Sequence, residues 1–302
     1  MRPTSVTTPS LIATSAVRPG DPVPSTTVPA LITRSCICIR YAAVTETITL
    51  EVDGAVAVIT NNNPEKHNAF DDDMDGRLFE IFAELKQRRD VRAVIWRAEG
   101  KSWSSGRDVG SIGVQKTEMT HHELMTRGHW GIQQIWEIEA PIIVAIQGWA
   151  IGGSFQRALL CDIRIAADDA RFMLPEVGYG VIPDTGGVSV LYEMAGPGLV
   201  SDMVLTGRRL SAEEALHHGI VSRVVPREEL DATAREMADK IAASPAVTVK
   251  MARRVIAHLA RPQQQTSMAD ELIYQTFINK SEDFAEMRAA KAEDRPPAYR
   301  GS

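Results

Sequence analysis

The chain has 302 residues, 33 basic against 39 acidic side chains and a formal net charge of −6, with the basic residues dispersed, which argues against nucleic acid as a main partner. Its length suffices for one large core or two modest domains, and no apolar run approaches the roughly 20 residues of a membrane span. Three cysteines, Cys36, Cys38 and Cys161, make neither a disulfide framework nor a zinc site without further ligands, which favours a reducing compartment, the cytoplasm first.

Residues 1–43 differ from the rest. They hold six of the 16 prolines, many Ser and Thr, and a single acid, Asp21. No hydrophobic periodicity is sustained there, so the segment is expected to be a disordered extension. Two other readings stay open: a start assigned too early, and a targeting leader built on Arg2, Arg18, Arg34 and Arg40, which would direct the protein to the mitochondrial matrix. The prolines argue against the amphipathic helix of such a leader.

The core is expected from 44 to 227 and a helical region from 228 to 302. Ile48 to Val52 alternates as a strand, Asp53-Gly54 reads as a hairpin turn, and Val56 to Thr60 as the return strand. Asp71 to Arg88 carries Met74, Leu78, Ile81, Phe82 and Leu85 at helical spacing, with acids at its start. Val91 to Arg97 is a strand running into a long loop, and 122–138 a helix. Pro141 to Ile146 is a strand with no polar face, and 154–160 a helix. Asp162 to Ala166 is a further strand. Repeating strand–strand–helix units suggest stacked turns. After Glu228 four helices are expected, over 228–243, 246–260, 268–279 and 282–291.

Two glycine turns stand out. Gly152 and Gly153 follow the buried strand and open a helix, whose first amides are unpaired and whose dipole end is positive. Gly106 stands where the strand after Val91 gives way to a loop. The amides of Gly153 and Arg107 could therefore flank one carbonyl oxygen. A tight strand-to-helix turn is the alternative reading of Gly152-Gly153 alone.

These segments, with Asn63-Pro64-Glu65-Lys66-His67-Asn68-Ala69, Ser104 to Asp108, Gly148 to Asp162, Leu174 to Gly178, Leu205-Thr206-Gly207, Ser211 to Ala215 and Glu293 to Pro297, occur in an order that resembles the crotonase superfamily, the enoyl-CoA hydratase/isomerase family. The resemblance covers over four-fifths of the chain. It implies an α/β fold, a spiral of ββα units with a C-terminal helical region that packs homotrimers, often paired into hexamers. It implies an acyl-CoA thioester substrate, no cofactor beyond the coenzyme A that is part of that substrate, and an enolate held by the backbone amides of Arg107 and Gly153. It places Lys66, Asn68 and Ala69 beside the CoA nucleotide, and Ser105, Asp108 and Val109 along adenine and pantetheine. Lys66 also reads simply as a solvated surface lysine.

The acid–base groups separate the possible reactions. Hydratases of this family carry two glutamates, at the positions of Gln156 and Glu176 here. Gln156 can hydrogen-bond water or substrate but cannot take a proton. Glu176 remains as an acid or base. Asp184, in Pro183-Asp184-Thr185-Gly186-Gly187, matches the aspartate of family dienoyl-CoA isomerases, although those enzymes also carry an acid where this chain has Gln156. Asp184 would equally suit the N-cap of the following helix. Gln156, Glu176 and Asp184 are thus the candidate catalytic set, leaning to double-bond isomerisation. A weak or altered hydratase is the alternative. A rival from another class is an acyl-CoA-binding protein with impaired catalysis.

Because residues 1–43 lack an apolar period, their removal is expected to leave the Tm within about 2 °C of the full chain and CoA binding unchanged. Thermal melts and calorimetric titration of the truncated protein check this, and a large loss of either would show that the segment packs on the core.

Overall fold

The structure is a computed structural model and describes residues 46–110 and 119–301. The expectations for 1–43, including Cys36 and Cys38, fall outside the described residues. Strands β1 (Ile48–Asp53) and β2 (Val56–Asn61) form the expected antiparallel hairpin. Its two-residue loop is Gly54-Ala55, one position later than the Asp53-Gly54 turn, because Asp53 still pairs with Val56. Strands β3 (Ala93–Ala98), β4 (Ile142–Ile146), β6 (Ile163–Ala167) and β9 (Arg223–Val225) add in parallel, giving a six-stranded sheet in the order β1-β2-β3-β4-β6-β9. A second sheet of three short strands joins β5 (Trp149–Ile151) to β7 (Arg171–Met173) in parallel and β7 to β8 (Leu210–Ser211) antiparallel.

Alternation along the strands divides the core in two. Val94 and Trp96 of β3 and Ile142, Val144 and Ile146 of β4 face helix α1 (Asp72–Gln87), which inserts Met74, Leu78, Ile81, Phe82 and Leu85. The intervening residues Ala93, Ile95, Ile143 and Ala145 face the opposite side. There they meet Leu230, Ala234 and Ala238 of helix α6 (Leu230–Ala243). Strand β4 therefore has no polar face because both of its faces are covered, as parallel sheets require. Helix α6, which opens the region expected to be a separate helical part, completes the core of the sheet.

Helices α2 (His121–Gln133), α3 (Gly152–Leu159), α4 (Gly187–Thr206, interrupted at Gly196) and α5 (Ala212–His217) fall among the strands. Helices α7 (Ala246–Ile278) and α8 (Glu282–Ala292) end the chain. The two helices expected over 246–260 and 268–279 are one. Between them Gln264 turns inward and is buried, and Met268, Glu271 and Gln275 further along the helix are buried too, so the inward stripe is largely polar. Glu271 accepts from Gly186 N at 2.8 Å and Gln275 Oε1 from Ile182 N at 3.1 Å. A helix whose inward stripe is polar has no apolar period to read. Among the described residues no helix is long and apolar enough to cross a membrane.

Arg164 of β6 shows how α3 is anchored. Burial pulls its pKa down, and its guanidinium donates to Ile220 O at 2.6 Å, to Cys161 O at 2.8 Å, and to Ala158 O and Leu159 O at 3.3 Å each. Three of these carbonyls close the C-terminal end of α3, where a cation also suits the dipole. Arg164→Met is therefore expected to cost about 3 kcal/mol or more, because several buried carbonyls lose their donor. Urea unfolding measures this, and a loss below about 1 kcal/mol would mean that water replaces the guanidinium.

Candidate active site

The site is built where the loop after β3 meets β5. Ser104 pairs with Ala150 in a parallel bridge: Ser104 N donates to Trp149 O at 2.9 Å and Ile151 N to Ser104 O at 3.1 Å. Only residues without a side chain allow so close an approach. A Cβ on Gly106 (φ +90°) would stand 2.7 Å from Ile151 O, and one on Gly148 (φ +54°) 2.0 Å from Lys101 O. The loop then turns to pair with Phe70, which donates its amide to Gly106 O, while Asp108 N donates to Phe70 O, both at 2.8 Å. Arg107, between those two bonds, has an amide with no partner among the described residues. Helix α3 starts directly after β5 with Ile151 at its N-cap and no side-chain cap. The amide of Gly153, in its first turn, is likewise unpaired.

Both segments line one cavity of about 910 Å³. Of the residues singled out from sequence, Arg107 and Gly153 line it together with Glu176 and Asp184. Lys66, Ala69, Ser105, Asp108 and Val109 line it as well, and the Lys66 ammonium lies 3.4 Å from Asp108 Oδ2 with most of its side chain in solvent. Asn68 and Gln156 are placed differently. Both are completely buried and neither lines the cavity. Asn68 holds the loops together: its Nδ2 donates to Glu99 O and Ser102 O at 2.9 and 2.7 Å, and its Oδ1 accepts from Asn63 N at 2.7 Å.

Gln156 lies behind the cavity wall and organises both acids. Its Nε2 donates to Glu176 Oε1 at 2.9 Å, and its Oε1 accepts from Thr185 N at 2.9 Å, beside Asp184. Glu176 heads a short 3-10 turn (Glu176–Tyr179) and reaches the start of α3; its Oε1 is 3.3 Å from where a Cβ on Gly152 would stand. Its other oxygen, Oε2, is buried without a hydrogen-bond partner among the described residues. Burial, and then the charge of Asp184, push the Glu176 carboxyl up to about 7. Asp184 is also pushed up to about 7, by burial first and by Glu271 next, with the guanidinium groups of Arg107 and Arg157 working against the rise. Asp184 does not take the capping role open to it in the sequence: α4 starts after Gly186 and makes no side-chain cap.

Several residues in the site carry no signal in sequence. His129 of α2 is buried, and its Nε2 donates to Asp184 O at 2.5 Å. Burial pulls its pKa down, so it is the neutral ring that holds this loop. Asp72 and Asp75 of α1 pair with Arg107, and Asp75 also pairs with Arg157 of α3. At spacings of 32 to 82 residues, periodicity marks none of these as neighbours.

Comparison with known proteins identifies the family. Residues 51–302 match the family described as enoyl-CoA hydratase/isomerase. The chain is 34% identical over 225 residues to the short-chain-enoyl-CoA hydratase of Clostridium acetobutylicum, covering 74% of this chain and 86% of that protein. It is 33% identical over 261 residues to the carnitinyl-CoA dehydratase of Escherichia coli O157:H7, covering 85% of this chain and 99% of that protein. Among solved structures, the enoyl-CoA hydratase/isomerase of Pseudoalteromonas atlantica T6c superposes with a TM-score of 0.76 at 28% identity, over 84% of this chain and 100% of the other. With a match across almost all of its described residues and relatives of this identity and coverage, the chain belongs to the crotonase superfamily as an enzyme of the enoyl-CoA hydratase/isomerase family.

Proposed function

We propose that the cavity binds an acyl-CoA thioester and moves a proton between two carbons of its acyl chain, shifting a double bond. The observation that carries this reading is the pair Glu176 and Asp184: two carboxyl groups on one cavity, both with pKa values near 7. One can be a carboxylate and the other an acid at the same pH, which a proton shuttle needs. The carboxylate takes a proton from a carbon beside the double bond. The electron pair moves into the thioester carbonyl, whose oxygen becomes an enolate. The unpaired amides of Arg107 and Gly153 are placed to hold that oxygen, and each such donor is worth roughly 2.7–4 kcal/mol in other oxyanion holes. The second carboxyl then returns a proton to the far carbon. No electron is gained or lost, so the reaction asks for no redox group. In this reading Gln156 is a positioning residue: it ties Oε1 of Glu176 and leaves Oε2 to carry the proton. Lys66, Ala69, Ser105, Asp108 and Val109 receive the coenzyme A moiety.

Hydration or dehydration is the second reading. The names of the relatives favour it, one a hydratase and one a dehydratase. It would leave Glu176 and Asp184 to share the proton work that family hydratases give to a pair of glutamates. Incubation with crotonyl-, 3-enoyl- and 2,5-dienoyl-CoA, with products followed chromatographically, separates the two. Isomerised products with little 3-hydroxyacyl-CoA are expected. Glu176→Gln is expected to abolish turnover in either reading. Asp184→Asn is expected to lower it by about 10²-fold or more only for the proton shift. Full activity of Asp184→Asn on every substrate turned over would reject the shuttle. Gln156→Glu would restore the hydratase pair; because position 156 lies behind the wall, no gain in hydration is expected.

The pH dependence follows from the same two groups. Turnover is expected to peak near pH 7 and to fall on both sides, since the working state has one carboxyl ionised and the other protonated. The dyad titrates as a unit, facing Glu271, Arg107 and Arg157. Stability has the opposite dependence to that of a salt-bridged carboxylate. A carboxyl whose pKa is raised on folding contributes stability below its unfolded pKa, and this is lost as pH rises through the folded value. The double variant Glu176→Gln/Asp184→Asn is therefore expected to lose less stability than the parent between about pH 5 and 8. Urea titrations across that range check this, and identical pH slopes would reject the raised pKa values.

We also infer a homotrimer or hexamer. Helix α7 exposes Ile256, Leu259 and Phe277, each more than 70% accessible, large apolar side chains that a subunit contact would cover; the family resemblance supplies the number of subunits. Sedimentation velocity at micromolar concentration is expected to give three or six chains, and a monomer would reject the inference.

A further inference from the structure

The wall formed by α1 and α3 carries charges that the proton shift does not use. Arg157 lies four residues after Gly153 on α3. Residues at that spacing share a helix face about 6 Å apart, and both line the cavity. The Arg157 side chain is nine-tenths buried, with its guanidinium 4.5 Å from the centre of the Phe70 ring. Its Nη2 lies 2.7 Å from Asp75 Oδ1. Its Nε and Nη1 are buried with no hydrogen-bond partner among the described residues. Asp75 also holds Arg107 at 2.8 Å, and Asp72 holds the same guanidinium. A third guanidinium, Arg127 of α2, stands beside Gly76, lines the cavity and has no ion pair among the described residues. Three guanidinium groups thus gather on this wall with Asp72 and Asp75, and Asp71 and Asp184 act on them from nearby.

Two unsatisfied N–H groups on a buried cation cost free energy unless something fills them. An alkyl chain cannot. A carboxylate can, since one of its oxygens accepts a charge-assisted hydrogen bond from either of them. Arg157 also sits one helical turn from the amide proposed to hold the thioester oxygen, within reach of the far end of a short acyl chain. We propose that the acyl group bears a terminal carboxylate, and that Arg157 is the residue that selects it. This rests on the acyl-CoA reading above and narrows it to short ω-carboxyacyl thioesters.

Saturated thioesters test this without turnover. Glutaryl-CoA and pentanoyl-CoA have acyl chains of equal length and differ in the terminal carboxylate; 4-(trimethylammonio)butanoyl-CoA ends in a cation instead. Calorimetric titration of the full-length protein is expected to give glutaryl-CoA roughly tenfold tighter binding or better than pentanoyl-CoA, and the cationic thioester the weakest. Arg157→Leu is expected to remove the preference while leaving pentanoyl-CoA affinity within about twofold. Arg157→Lys, which keeps a cation beside Asp75 should the leucine variant fail to fold, is expected to retain part of it. Equal binding of glutaryl- and pentanoyl-CoA by the parent, or tighter binding of the cationic thioester, would overturn the proposal while leaving the acyl-CoA reading intact. A preference for glutaryl-CoA that survives in both variants would overturn the role of Arg157. Failure of all three thioesters to bind would overturn both readings together.

Discussion

Backbone lying directly on backbone is the contact on which the site depends. The segment around Ser104 pairs with β5 at a distance that leaves no room for a Cβ at Gly106 or Gly148. That pairing brings the end of one strand–loop unit against the beginning of α3. Without it, the amides of Arg107 and Gly153 would belong to separate surfaces. With it, they line one cavity while their hydrogen-bonding capacity is unspent. Protein amides held in place by a sheet contact need no reorganisation when charge arrives, which is what distinguishes such donors from water.

The second determinant is burial of acid. Glu176 and Asp184 both lose solvation on folding, and that loss, more than any single partner, lifts their pKa values. Glu176 is then steadied by a neutral group, the amide side chain of Gln156, while an imidazole holds the backbone carbonyl of Asp184. Neutral partners orient a carboxyl without fixing its charge. A lysine or arginine in place of Gln156 would have locked Glu176 as a carboxylate. The charged groups sit one layer away, on α1 and along α3, where they neutralise each other.

Much of this architecture is legible in the chain. The helical period of Met74 to Leu85, the unbroken apolar run of β4 and the paired glycines at 152 and 153 each follow from a local rule. The glycine turns at 106 and 153 do line one cavity, although nothing local to either indicates that they meet. What escapes reading is the polar interior. Gln156 looks like a substrate-facing residue because of its place in the helix, yet it is completely buried behind Glu176 and does not line the cavity. Asn68 sits in a loop motif beside cavity residues, but its side chain is consumed by three loop hydrogen bonds. Helix α7 looks broken because its inward stripe is glutamine and glutamate. Apolar periodicity reports burial only where burial is apolar; where buried groups are polar and satisfied by distant partners, the pattern carries no trace of them.

That stripe on α7 also has a kinetic meaning. The loop that presents Asp184 is fastened by Glu271 and Gln275, 85 and 93 residues further along the chain from their partners Gly186 and Ile182. Contacts of such separation are slow to form, because a long loop must close before they return any free energy. During synthesis, the strands and α1 can condense while the acid-bearing loop still waits for its clamp. The pocket is therefore among the last parts of the molecule to take shape. A chain cut short before α7 would keep much of the sheet and lack the clamp on the loop that bears Asp184.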